Sequence, residues 1–222
     1  MRRSILFFLL PLLLLGIART GWSAPPSLLV GLHIQSTRMD WQYSGSVRKT
    51  DLSRLDLVWD QTLNSMLEGS ISIGFVDLTQ SSNPIPAGQS TSGNSLGVGL
   101  RLHLYRGDRL QLHADMNYLY ADTSADVSGQ KVDISWHRVS GEIEADIRFY
   151  QYSYLSLAVG SLAINGDESA TGTVTAAQTF ENDQSAYGRL GVLIGVDQDS
   201  HVGIEVSSGS VAGGRIFFQR WF

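Results

Sequence analysis

The sequence predicts an all-β fold: one antiparallel β-barrel of ten strands that crosses a membrane, with eight as the alternative count. Three observations carry that prediction. Apolar and polar residues alternate with period two along almost the whole chain after residue 23. The connections alternate between tight turns and long polar loops. The chain ends on the aromatic stretch RIFFQRWF, residues 215–222, where a soluble domain ordinarily frays into polar residues.

The leader comes first. Arg2 and Arg3 precede an apolar run from Ile5 to Ile17 that is interrupted by Pro11 and followed by the small and polar residues of GWSAPP. The run is shorter than the ~20 residues of a spanning helix, so residues 1–23 read as a cleaved secretory signal rather than a retained anchor. Gly21 and Ser23 place small residues at the two recognition positions for a cut after Ser23, leaving 24–222 as the barrel. Cleavage removes Arg2, Arg3 and Arg19, three positive charges, and takes the formal charge from −5 to −8. That acidic balance argues against a nucleic-acid partner. The chain has no cysteine, which excludes a disulfide framework, a lipid-anchored cysteine and a thiol nucleophile.

The strands follow in order at about 27–43, 50–61, 65–76, 95–105, 109–121, 132–149, 153–164, 185–197, 201–208 and 214–222. In SLGVGLRLHLY, Leu96, Val98, Leu100, Leu102 and Leu104 share one face, while Gly97, Gly99, Arg101, His103 and Tyr105 share the other. The strand at 109–121 sets Leu110, Leu112, Ala114, Met116, Tyr118 and Tyr120 against Gln111, His113, Asp115 and Asn117. In the next, Val139, Ile143, Ala145, Ile147 and Phe149 oppose Glu142, Glu144, Asp146 and Arg148. In two strands the apolar parity changes part way, after Ile34 and near Trp136. A β-bulge, or a strand continuing beyond the membrane into water, produces such a change. An even strand count suits a closed antiparallel barrel; a miscount at 201–208 or in the first region would reduce it to eight.

Alternation alone does not separate a membrane barrel from a soluble one; the connections do. The links TLN, RGD, YQY and QDS are tight, whereas residues 77–94, 122–131 and 165–184 form long polar connections. Short periplasmic turns and long extracellular loops are the rule of outer-membrane barrels. A three-residue loop of Arg106, Gly107 and Asp108, with Gly107 free for positive φ, would pair Leu104 with Leu110, Leu102 with Leu112 and Arg101 with His113. RGD is therefore turn chemistry. Trp59, Phe75, Tyr118, Tyr120, Trp136, Phe149, Tyr150, Tyr152, Trp221 and Phe222 fit interfacial girdles.

On these residues the whole mature chain resembles the bacterial outer-membrane β-barrel proteins, the class of small OmpA/OmpX-like or ten-stranded barrels. The resemblance implies residence in the cell outer membrane, contact with outer-membrane lipid and lipopolysaccharide, and recognition by the barrel-assembly machinery. In that class the last strand is the assembly signal, and Ile216, Phe218 and Phe222 match its pattern; Gly214 and Arg220 depart from it.

The polar faces would point into the lumen. Arg54, Asp56, Arg101, His113, Asp115, Glu142, Glu144, Asp146, Arg148, Arg189 and Glu205 fall there, and buried carboxylates need paired donors. By register Glu142, Glu144 and Asp146 lie opposite Gly160, Ala158 and Ser156, leaving space for arginines from across the lumen. A charged network that plugs the barrel is the expected result, with a narrow channel as its rival. Barrels of the class also include lipid-modifying deacylases that use a Ser and a His. The matching constellation here is WHRVSGEIE, with His137, Ser140, Glu142 and Glu144. His137 and Ser140 project to opposite faces of a regular strand, so a working nucleophile and base would require the parity change to realign them. No metal-ligand spacing, phosphate-binding glycine loop or cofactor motif is present. The expected role is structural, or surface interaction through the loops, with the extracellular ligand unspecified.

Overall fold

The computed structural model describes residues 27–81 and 90–222; the predicted signal, 1–23, lies outside them. Eleven antiparallel strands form one continuous sheet: β1 (Leu28–Tyr43), β2 (Ser46–Thr62), β3 (Leu67–Gln80), β4 (Ser90–Arg106), β5 (Leu110–Val127), β6 (Gln130–Tyr150), β7 (Ser153–Thr171), β8 (Ala176–Asn182), β9 (Ala186–Gly195), β10 (Ser200–Gly209) and β11 (Ala212–Trp221). Ten of them are the predicted strands. β8 falls within a predicted loop.

The sheet closes twice, at two levels. At the turn end β11 pairs with β1 from Leu29↔Trp221 to Arg38↔Ala212, and β7 pairs with β9 from Tyr154↔Leu193 to Ser161↔Ala186, giving a ring of ten strands. Further toward the loop end β9, β10 and β11 have stopped. There β8 bridges β7 (Asn165↔Glu181 to Ala170↔Ala176) and β1 (Trp41↔Asn182 to Tyr43↔Phe180), giving a ring of eight. Strand length explains the split. β9, β10 and β11 have ten residues each, enough to cross a bilayer, whereas β1 to β7 have 14 to 21 and continue beyond it.

The parity change follows from this arrangement. β1 pairs with β2 and with β11 without a register shift, so its odd-numbered residues face inward throughout. Along the lower half the inward residues are polar (His33, Gln35, Thr37) and the outward ones apolar (Leu32, Ile34); along the upper half the inward residues are Met39, Trp41 and Tyr43, and the outward ones Ser36, Arg38 and Asp40. The strand keeps its register while its surroundings invert. The outward apolar positions are openly exposed, with Ile34 at 58%, Met116 at 62%, Val159 at 68% and Phe75 at 69%. A belt of that extent is stable only against lipid. It spans about nine residues per strand, roughly 30 Å along a strand, or about 23 Å of height at a tilt of ~40°.

Three expectations are corrected. The tight β4–β5 turn keeps its lipid face continuous through a bulge at Leu104 rather than an odd-length loop: Arg101 pairs with Asp115, Leu102 with Ala114 and His103 with His113, after which Tyr105 pairs with Leu112. Gly107 is not in the left-handed region. Trp136 belongs to no girdle; it is buried in the upper ring. The predicted loop at 122–131 shrinks to Ser128 and Gly129, both at positive φ (55° and 78°), as a two-residue hairpin turn requires.

Candidate functional site: the lumen and its plug

The lumen is layered. In its middle, the guanidinium of Arg101 on β4 donates to both oxygens of Asp115 on β5 (2.8 and 3.1 Å) and to Glu144 on β6 (2.7 Å). From the far wall Arg189 on β9 reaches Glu142, Glu144 (3.2 Å) and Glu205 (2.7 Å), and Glu205 also meets Arg215 of β11 at 2.6 Å. Ser156 donates to Glu144, and the Tyr187 hydroxyl to Glu142 at 2.8 Å. One chain of charge thus ties β4, β5 and β6 to β9, β10 and β11 across the barrel. Glu142 and Glu144 lie directly opposite Gly160 and Ala158. A Cβ at Gly160 would stand 2.8 Å from both Glu142 Cβ and Tyr187 Cζ, so the glycine makes room for the network.

Arg54 and Asp56 pair with each other at 2.7 Å, two residues apart on one strand face, and Asp56 also accepts from Ser95. His113 faces Asp146 at 3.2 Å. Arg148, expected in the lumen, is exposed at the turn end of β6, where it donates to the Tyr154 hydroxyl; the strand runs past the lumen there. Arg215 and Tyr187 complete the network and are not among the lumen residues expected from the sequence. Arg215 sits at the parity opposite Ile216 and Phe218, and that signal was available. Asp115, Glu142 and Glu144 bring carboxylate oxygens within 4.8 Å of one another, the spacing of a cation site, but Arg101 and Arg189 already neutralise them.

Toward the loop end the lining turns apolar. Met39, Trp41, Leu52, Val76, Leu78, Ala121, Val132, Ile134, Trp136, Ile164, Phe180 and Val211 pack into one buried cluster inside the eight-stranded ring. Trp41 stacks on Phe180 and meets Trp136 at 5.4 Å. Above them Arg48 and Glu168 form a buried pair at 3.0 Å, with Arg48 3.9 Å over the Tyr43 ring. Gln80 donates to the Tyr43 hydroxyl at 2.8 Å. Burial holds the Tyr43 phenol well above its ordinary value. Below this plug a cavity of about 330 Å³ remains, lined by His33, Arg54, Asp60, Asn117, Arg138 and Tyr187 among others.

The enzymatic constellation does not assemble. Ser140 is buried on the lumen face of β6, with Glu142 on the same face, while His137 is exposed on the outer face beside Tyr118. A base on the opposite side of the sheet does not reach the hydroxyl.

The arrangement matches solved structures across nearly the whole chain. The translocator domain of autotransporter NalP from Neisseria meningitidis superposes with a TM-score of 0.52 at 11% identity, covering 97% of this chain and 94% of its own. The outer membrane protease OmpT from Escherichia coli gives 0.51 at 8% identity, covering 92% and 96%. The fold is that of a bacterial outer-membrane β-barrel. The outer membrane protein OprG from Pseudomonas aeruginosa matches with a TM-score of 0.50 at 12% identity, over 91% and 98% of the two chains. No protein-family model matches the sequence, and no curated protein matches it. A translocator domain and a protease share this barrel, so the fold alone does not select an activity.

Proposed function

We propose that the chain is a sealed barrel of the outer membrane, acting through the storey it raises beyond the lipid rather than through its lumen. The observation that carries this reading is the packed cluster around Trp41, Trp136 and Phe180, which fills the eight-stranded ring at the loop end. A conducting pore needs a continuous polar path, and here the path meets an apolar core capped by a buried ion pair. The outward face of the same storey carries Arg38, Asp40, Lys49, Asp51, Asp122, Lys131, Asp133 and Asp167, a solvated wall fit for the cell surface. Outer-membrane lipid surrounds the apolar belt below, with lipopolysaccharide in the outer leaflet; a structural or surface-interaction role follows. The opposed faces of His137 and Ser140 disfavour a deacylase-like enzyme.

Planar-bilayer recording tests the proposal. The folded wild type is expected to give no steady conductance in 1 M salt, and a Trp41→Ala/Trp136→Ala double variant is expected to open one. Steady channels in the wild type would overturn the sealed reading.

A further inference from the structure

Four consecutive strands, β3 to β6, place Glu68, His103, His113 and Asp146 in a row at the turn end of the lumen. His103 and His113 are direct cross-strand partners beside the Leu104 bulge, and their rings meet edge to face, 4.6 Å apart and at 79°. Each ring is held from outside the pair. His103 Nε2 lies 2.7 Å from Glu68, which also faces Arg106 at 3.5 Å, and His113 Nε2 lies 3.2 Å from Asp146. Both side chains are more than nine-tenths buried, at 8% and 2% exposure, yet the Nδ1 atom of each has no hydrogen-bond partner among the described residues.

Glu68 hydrogen-bonds His103 Nε2, and Asp146 lies at ion-pair distance from His113 Nε2; in a neutral imidazole a carboxylate so placed keeps the proton on Nε2 and leaves the lone pair on Nδ1. Two buried lone pairs on touching rings are unfavourable as they stand. They are also donors of the kind a metal site uses: ligating histidines characteristically give their second ring nitrogen to a carboxylate, which fixes the tautomer and raises the basicity of the ligand. His33 and His201 bury an unpartnered ring nitrogen as well, but neither ring contacts a second imidazole among the described residues.

We propose that His103 and His113 bind one transition-metal ion of the zinc, nickel or copper class through their Nδ1 atoms, with Glu68 and Asp146 as positioning residues. Imidazole donors suit these ions, whereas magnesium and calcium favour oxygen ligands. The site is independent of whether the barrel is sealed.

Equilibrium dialysis of the untagged, folded protein in detergent against Zn(II) is the test. One ion per chain is expected, with no retention of Mg(II). His103→Gln and His113→Gln should each weaken binding by 100-fold or more; Glu68→Gln should weaken it by about 10–100-fold. The outward His137→Gln should leave it unchanged. Electron paramagnetic resonance of the Cu(II)-loaded wild type, which needs no variant to fold, should report two coordinated imidazole nitrogens. Absence of zinc binding by the folded wild type, binding that survives both histidine substitutions, or a copper spectrum without two nitrogens would overturn the proposal.

Discussion

Trp41 of β1 and Phe180 of β8 stack face to face, their rings 4.2 Å apart and only 9° from parallel. They sit where β8 meets β1, a seam of only three paired residues, Trp41 to Tyr43. So short a ladder holds through its side chains. Phe180→Ala is expected to cost about 3–5 kcal/mol, the range for deleting a buried aromatic ring. Hydrogen exchange should accelerate in 41–43 and 176–182 while 200–209 keeps its protection, because the lower ring closes separately through β11.

Arg48 and Glu168 are both nearly inaccessible to solvent, and a buried pair is costly to leave half-made. Glu168→Gln and Arg48→Met are each expected to destabilise the protein by about 3–5 kcal/mol, and the double change by less than the sum. A thermodynamic cycle on urea unfolding measures the coupling.

Tyr43 gives the outer storey an alkaline limit. Its folded pKa is raised, chiefly by burial, so the phenol stays neutral while the unfolded chain begins to ionise near pH 10. Stability is therefore full below about pH 10 and falls as pH rises beyond it. In Tyr43→Phe this part of the decline should be absent from a pH series of unfolding midpoints.

Arg189 touches three carboxylates, Glu142, Glu144 and Glu205, more than any other cation of the network. Arg189→Met is expected to cost about 3–5 kcal/mol by leaving buried charge unpaired. Adding Glu205→Gln should recover part of that loss; the loss of the heat-induced gel shift with rising temperature reads both. Gly160→Val should mimic the defect by steric means, since its side chain would enter the space of Glu142 and Tyr187.

The barrel was legible in the sequence because lipid on one side and charge on the other impose a clean period of two, as in Leu96 to Leu104. The register set by the tight turn after β6 places Glu142 and Glu144 opposite Gly160 and Ala158, and that pairing is found. β8 was not legible. Of its seven residues, Phe180 alone is a large apolar side chain turned inward, amid Ala, Gln, Thr and Glu, so water outside and a narrow interior left almost no contrast. The upper half of β7 hid for the same reason: Asn165, Asp167, Ser169 and Thr171 face out while Gly166 and Glu168 face in. The His103–His113 contact depends on a one-residue bulge, and the turn register drawn from sequence set His113 against Arg101 instead.

In one unbroken register β1 crosses from lipid to water between Ile34 and Ser36. Because the chain has no cysteine, single cysteines can be placed at the outward positions 30, 32, 34, 36, 38 and 40, spin-labelled, and compared for collision with oxygen and with a water-soluble nickel chelate. Labels at 30, 32 and 34 are expected to favour oxygen, and those at 36, 38 and 40 the chelate. Oxygen-dominated labels through residue 40 would place the upper ring inside the bilayer and contradict that crossing.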